Sequence, residues 1–333
     1  MIRPEPAAPA APPARRGRRS LVWIGLLAAA VGAYVSYGPF RARVAEAARQ
    51  AAREQTDLRR EAALAAGGYD EDGFTRKVAA LPGEWLWAHP EQGQTFEEFL
   101  GKPPLVVSPD APQQAFVIQP LTPLRPHAEA IMEPCREYMA RFFTRPCALA
   151  DSVELPAEAY LPERQQYDAA KLLSWLAARR PADAVSFTAL CDQDLIAPGL
   201  DHFVFGLGRF SSGLGCYSFW RFWHPGVEPT LYLRRTLHLL NHEVGHAFGL
   251  AHCIHYGCSM NGANSLAEAD AQPLHFCPRC LRKLQHCFGF EVVARYRALQ
   301  TFYADQGLEA DAAWVAARLA HLAETGRSTP WDE

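Results

Sequence analysis

One run of eleven residues constrains this chain more than any other feature. His242-Glu243-Val244-Gly245-His246-Ala247-Phe248-Gly249-Leu250-Ala251-His252 reads HExxHxxGxxH. On a helix, His242 and His246 are four positions apart and share one face, so both imidazoles reach one point. Gly249 lets that helix stop and the chain turn away. The turn then returns His252 as a third ligand. Neutral imidazole suits zinc, and three protein ligands leave a fourth position for water. Glu243, beside the first ligand, is placed to act as general base to a zinc-activated water and then as proton donor to a leaving amine.

The residues that follow extend the pattern. Met260 lies eight positions past His252, where proteases with this long motif place a methionine turn beneath their histidines. Cys253, Cys258, Cys277 and Cys280 make a second group, the last two as Cys-Pro-Arg-Cys. Four thiolates at such spacing suit a closed structural zinc site; two disulfides or buried free thiols are the alternatives. His255, His275, His286 and Cys287 compete as ligands. Cys135, Cys147, Cys191 and Cys216 read as small buried residues. The cofactor expectation is two Zn2+, one catalytic and one structural.

The remainder of the 333 residues sorts by composition. Residues 1–20 form a Pro/Ala/Arg tail, too polar to fold. Residues 21–40 are uncharged and mostly apolar, long enough for a single transmembrane anchor. Arg18-Arg19 ahead of that run also suit a cleaved export signal. Arginines flank the run on both sides, so the positive-inside rule leaves the side of the catalytic domain open. Residues 41–68, rich in Ala, Arg and Glu and closed by Gly67-Gly68, read as a helical stalk. The folded domain is expected over 69–325, with a tail at 326–333. A net charge of −3 gives no basic field for nucleic acid.

Within the domain, the pattern predicts strands at 115–118, 148–155, 184–190 and 202–206. Residues 215–222 read as an aromatic edge strand, with Cys216 to Phe222 either forming the upper rim of a cleft or, equally, serving as plain core residues. Helices are expected at 126–143, 165–180, 231–250, 281–304 and 309–323. Strands alternating with helices imply an α/β domain with one twisted mixed sheet. Exposed sheet edge at residues 215–222 would pair with an extended peptide. Arg209 and Arg221 are candidates for contact with acidic groups, beside the plainer reading as solvated surface.

The long zinc motif with the adjacent Cys253, then Cys258, Met260 and the Cys277–Cys280 pair, resembles the archaemetzincins, a family of metzincin zinc peptidases. Weaker similarity to the animal-type members extends through Gly83-Glu84-Trp85-Leu86, His89-Pro90-Glu91 and Gln94-Thr95-Phe96-Glu97. It continues through Arg164-Gln165-Gln166-Tyr167 and the stretch from Asp192 to Gly206. The resemblance covers roughly residues 80–300. It implies a metzincin-like fold with an active-site helix and Met-turn, a catalytic and a four-cysteine zinc, and aminopeptidase or endopeptidase chemistry on peptides or proteins. A zinc-binding scaffold without hydrolysis, and a zinc hydrolase of non-peptide substrates, are the competing readings. Glu243 argues against the scaffold, which has no need of that carboxylate.

Overall fold

The computed structural model describes residues 19–102, 104–108, 110–200 and 202–331, those from 19 to 40 by their backbone alone. The chain divides into two units, Met1–Ala52 and Arg53–Glu333. A helix, α1 (Arg19–Ala65), occupies the described part of the first unit and continues into the second. No helix of the described residues is long and apolar enough to cross a membrane. The anchor expected at 21–40 and the tail at 1–20 fall on residues whose side chains lie outside those described.

In the second unit, α2 (Trp85–Ala88) and α3 (Phe96–Gly101) precede the sheet. Then come β1 (Ala115–Thr122), α4 (Pro126–Ala130), α5 (Met132–Phe143), β2 (Cys147–Leu149) and β3 (Val153–Glu154). Next are β4 (Tyr160–Leu161), β5 (Gln166–Asp168), α6 (Ala169–Ala177), β6 (Ala184–Cys191), β7 (Leu195–Ile196), β8 (Phe203–Val204), β9 (Gly206–Arg209) and β10 (Leu214–Ser218). The rest is helical: α7 (Pro229–Ala247), α8 (Leu266–Asp270), α9 (Pro278–Phe288), α10 (Val292–Asp305) and α11 (Glu309–Thr325).

The main sheet runs β2-β1-β6-β10-β9, with β3 also on β1; β4-β5-β7-β8 form a smaller one. Strands β2, β1, β6 and β10 are parallel, and β9 closes the edge antiparallel. Burial follows from that placement. Every residue of β6 is buried, as parallel strands covered on both faces require. Val117, Leu121, Phe187 and Cys216 pack with Leu172 and Leu176 of α6 on one face. Phe116, Ile118 and Tyr217 join α5, α7, α9 and α10 on the other. A bulge opposite Ala115/Phe116 shifts the β6 register, which turns Val185 to the second face.

Four expectations change. Residues 215–222 are not an edge: β10 is wholly buried between β6 and β9, and Trp220–Phe222 form a short 3-10 turn. The edge is β9, whose Gly206 and Gly208 gave no strand-like apolar alternation. The helical stalk expected over 41–68 does not stand apart from the domain throughout, since Thr56, Arg60 and Leu64 are buried at a spacing of four. The compact unit therefore begins near Arg53 rather than Tyr69. At the other end, Asp70 N–H donates to the Pro330 carbonyl at 2.8 Å and Trp331 is buried, so the expected tail is tied down. The single helix expected over 281–304 is two, broken at Gly289.

Candidate active site

Helix α7 carries the site. Pro229 at its first turn needs no hydrogen-bond acceptor there, which suits a helix start. Leu233, Leu237, Leu240 and Val244 recur at helical spacing and are buried in the core. Pinned by that stripe, the helix presents His242, Glu243 and His246 to a cleft below β9. Gly249, at φ 93°, takes the left-handed turn that ends the helix. Buried Gln94 spans this turn, donating to the Gly249 carbonyl at 3.2 Å and accepting from Ala251 N–H at 3.1 Å. Lys283, also buried, donates to the Gln94 carbonyl at 2.6 Å and so holds the clamp in place.

The three imidazoles converge. His242 Nε2 lies 3.1 Å from His246 Nε2 and 3.2 Å from His252 Nε2. Nitrogens at 2.0–2.1 Å from a tetrahedral ion sit about 3.3 Å apart, so the donor set fits zinc. Each ring is turned by its other nitrogen. Nδ1 of His242 faces the Ser259 carbonyl at 3.0 Å, that of His246 the Leu250 carbonyl at 2.6 Å, and that of His252 Glu91 Oε1 at 2.7 Å. With Nδ1–H donated to these oxygens, every Nε2 lone pair points at the centre. Burial pushes His246 down to about 4 and also lowers His242, which keeps both neutral. Burial pushes the Glu243 carboxyl up to about 7, against an opposing pull from His252.

Met260 lies fully buried beneath the histidines. Its sulfur packs so closely on α7 that a Cβ on Gly245 would stand 2.4 Å from Sδ. Met260 also accepts from Cys253 N–H at 2.8 Å, linking the third histidine's neighbour to the turn. The sulfurs of Cys253, Cys258, Cys277 and Cys280 gather within 4.8 Å of one another, all buried, and the cysteines are free. Cys253 and Cys277 sulfurs are 3.6 Å apart, against about 2.05 Å for a disulfide and about 3.8 Å around a tetrahedral zinc. Backbone N–H groups of Met260 and Cys277 point at Cys258 Sγ, 3.5 and 3.3 Å away, which favours a thiolate. Of the competing ligands, neither His255, His275, His286 nor Cys287 joins either group of described residues.

Three contributors escaped the motif reading. Glu91 orients His252. Gln94 clamps the turn. Asn261 donates to the carbonyls of Cys253 and Tyr256 at 2.7 and 3.0 Å and accepts from Cys258 N–H at 2.9 Å. Glu91 and Gln94 sat within the weak upstream similarity, and Asn261 directly follows Met260. Arg221, a candidate for binding acidic groups, is instead paired with Asp194 at 2.7 Å and stacked on Phe203. The cleft has two hollows. One, of about 250 Å³, opens beside Glu243 between α7 and residues 261–270. The other runs below β9, past Gly206, Leu207, Gly208 and Phe210, and reaches Glu91 and His246.

A helix with two histidines, a turn that returns a third and a methionine packed beneath define the class as a metzincin-type zinc metallopeptidase. Comparison with known proteins narrows this. Residues 138–286 match peptidase family M54. Archaemetzincin-2 of Mus musculus is 30% identical over 262 residues, 67% of this chain and 73% of the relative. The archaemetzincin of Methanopyrus kandleri is 35% identical over 160 residues, 48% of this chain and 89% of the relative. The crystal structure of that archaeal protein aligns at 31% identity and a TM-score of 0.48, over 55% of this chain and all of the other. The chain belongs to the archaemetzincin family.

Proposed function

We propose that this protein hydrolyses peptide bonds in peptides or proteins, with His242, His246 and His252 holding a catalytic zinc and Cys253, Cys258, Cys277 and Cys280 a structural one. The observation that carries the reading is the inward set of three Nε2 atoms, fixed by three Nδ1 hydrogen bonds, with Glu243 beside them in the cleft. Zinc in such a site makes bound water acidic near neutral pH and polarises a carbonyl.

The chain's own residues supply the rest. Glu243 accepts the proton of the attacking water at its carboxylate and delivers it to the leaving nitrogen. A carboxyl raised towards neutrality by burial suits both halves of that transfer. The outer edge of β9 offers main-chain groups to an extended substrate, which would lie antiparallel along Gly206–Arg209 above the histidines. Buried thiolates at Cys253 and Cys258 would fix the backbone that presents His252. Attachment to a membrane through residues 21–40 is part of the same proposal and rests on the apolar sequence there.

Cleavage of a diverse peptide library by the zinc-loaded protein and by Glu243→Ala, read by mass spectrometry, tests the function. Cuts that depend on Glu243 are expected. Zinc-loaded protein that makes no such cuts would overturn the peptidase reading in favour of a scaffold or a non-peptide hydrolase.

A further inference from the structure

Two arginines of α1 reach the loop that supports the histidines. Arg59 Nε donates to the Gln92 carbonyl at 2.9 Å, and its Nη2 meets Glu98 Oε1 at 2.7 Å. Arg53 Nε donates to the Trp87 carbonyl at 3.0 Å, with the guanidinium 4.0 Å above the Trp87 ring. The two anchor points bracket Glu91. Glu98 is itself fixed: its Oε2 accepts from Thr95 N–H at 2.9 Å, and Thr95 Oγ1 accepts from Glu98 N–H at 3.1 Å, the reciprocal cap of α3.

The stretch from Glu91 to Gln94 is held from two sides. Inward, Glu91 turns the His252 ring and Gln94 clamps the turn from Gly249 to Ala251. Gly93 lies so close to the chain after His252 that a Cβ there would stand 2.7 Å from Ile254 Cγ1. Outward, Lys283 holds the Gln94 carbonyl and Arg59 the Gln92 carbonyl. The carbonyl that Arg59 holds belongs to the peptide between Gln92 and Gly93, a rigid plane set between the Glu91 and Gln94 side chains. Helix α1 is seated in turn. Thr56, Arg60 and Leu64 are buried. Arg279 of the Cys-Pro-Arg-Cys knuckle donates to the Ala63 carbonyl in the last turn of α1, where helix carbonyls lack partners of their own. Neither Arg53 nor Arg59 lines either hollow of the cleft, so neither is placed to touch substrate.

We propose that Arg59, assisted by Arg53, is a positioning residue for the histidine site. It holds the peptide between Gln92 and Gly93, and through it keeps Glu91 on His252 and Gln94 on the turn. The kinetic side of this inference rests on the peptidase reading above; the exchange of the Ala251 amide does not.

The test uses the full chain carrying Arg53→Ala, Arg59→Ala or both. Chelator competition should show zinc affinity about 3- to 10-fold weaker in the double variant. That is less than the loss of a histidine's own partner costs, because exposed charged contacts are individually weak. kcat should fall by a similar factor with KM little changed, as when no substrate contact is removed. Arg59→Ala should cost less in a Glu91→Gln background than alone, because the two act in series. In metal-free protein, the Ala251 amide, which donates to Gln94, should exchange about 3- to 10-fold faster in the double variant. Arg49→Ala, whose partner Glu46 lies on exposed turns of the helix, should match the parent in every readout. Parent-like zinc affinity and Ala251 exchange in the double variant, or Arg59→Ala and Glu91→Gln losses that multiply in full, overturn the assignment. A parent that cleaves no peptide sinks the peptidase reading alone, and the amide exchange still decides the role of Arg59.

Discussion

Glu91 Oε1 sits 2.7 Å from His252 Nδ1 and 2.9 Å from Trp85 Nε1, so one carboxylate oxygen accepts from both the third histidine and the ring that walls the cleft. Burial alone would raise this carboxyl, but the hydrogen bond from His252 and its neighbours hold it below the usual glutamate value. It is therefore an anion that fixes the ring and strengthens it as a donor.

Glu91→Gln should weaken zinc binding at the histidine site by about 10- to 100-fold, the usual cost of losing such a partner. Competition with a chelator of known affinity measures it. Glu91→Ala, which also frees Trp85, should cost more. An affinity equal to the parent's in both variants would show that His252 needs no help from Glu91.

Cys277→Ser leaves three sulfurs and a poor fourth donor in a buried cluster. One zinc per chain should be lost, and thermal unfolding should move several degrees lower, because structural zinc contributes directly to folding. Metal analysis beside calorimetry reads both. A variant that keeps both metals would contradict the four-cysteine assignment.

Much of this was legible because it is local. His242, His246 and His252 declare their common target through spacing on one helix and its turn, and Cys277 and Cys280 do so through a knuckle. The parallel strands were legible as apolar runs between prolines and turns. What escaped depends on distant partners. Glu91 is 161 residues from the histidine it orients. Whether β10 is an edge or an interior strand is decided by β9, whose glycines carry no burial pattern. Those glycines are explained only by Tyr217, since a Cβ on Gly206 would stand 2.3 Å from its ring. The buried Thr56, Arg60 and Leu64 had the right spacing for a packed helix face, but two are polar and masked the stripe.

Gly245→Ala places a methyl where Met260 Sδ now lies. Alanine gains about 1 kcal/mol in helix propensity, and the overpacking costs about 1–3 kcal/mol. Net stability should fall by up to about 2 kcal/mol, and the turn bearing Met260 and Asn261 must shift away from α7. Activity should fall about tenfold or more, since small displacements of positioned groups are costly. Adding Met260→Val, which shortens the intruding side chain, should recover part of it. Equal kcat/KM for Gly245→Ala and the parent would show that the methionine contact has no bearing on catalysis.

Asp70 ties an early segment of the compact unit to its last helix, α11. Its Oδ2 accepts from Arg318 at 2.6 Å and from His321 at 2.9 Å, with the guanidinium almost wholly buried. Burial pushes the Asp70 carboxyl up, and hydrogen bonds from Arg318, Asp72 N–H and His321 outweigh it, leaving the carboxyl below its ordinary value. A carboxyl lowered in the folded state stabilises above the unfolded value near pH ~4 and loses that contribution as pH falls through the folded value. Asp70→Asn should therefore cost about 3 kcal/mol at neutral pH, the scale for stranding a buried partner. The gap between parent and variant should begin to narrow below pH ~4, as the unfolded carboxyl takes up a proton, and close as pH falls through the lowered folded value. Urea unfolding of both proteins from pH 7 to pH 3 measures the gap. A gap that stays constant across this range would mean that the Asp70–Arg318 pair contributes through shape and not through charge.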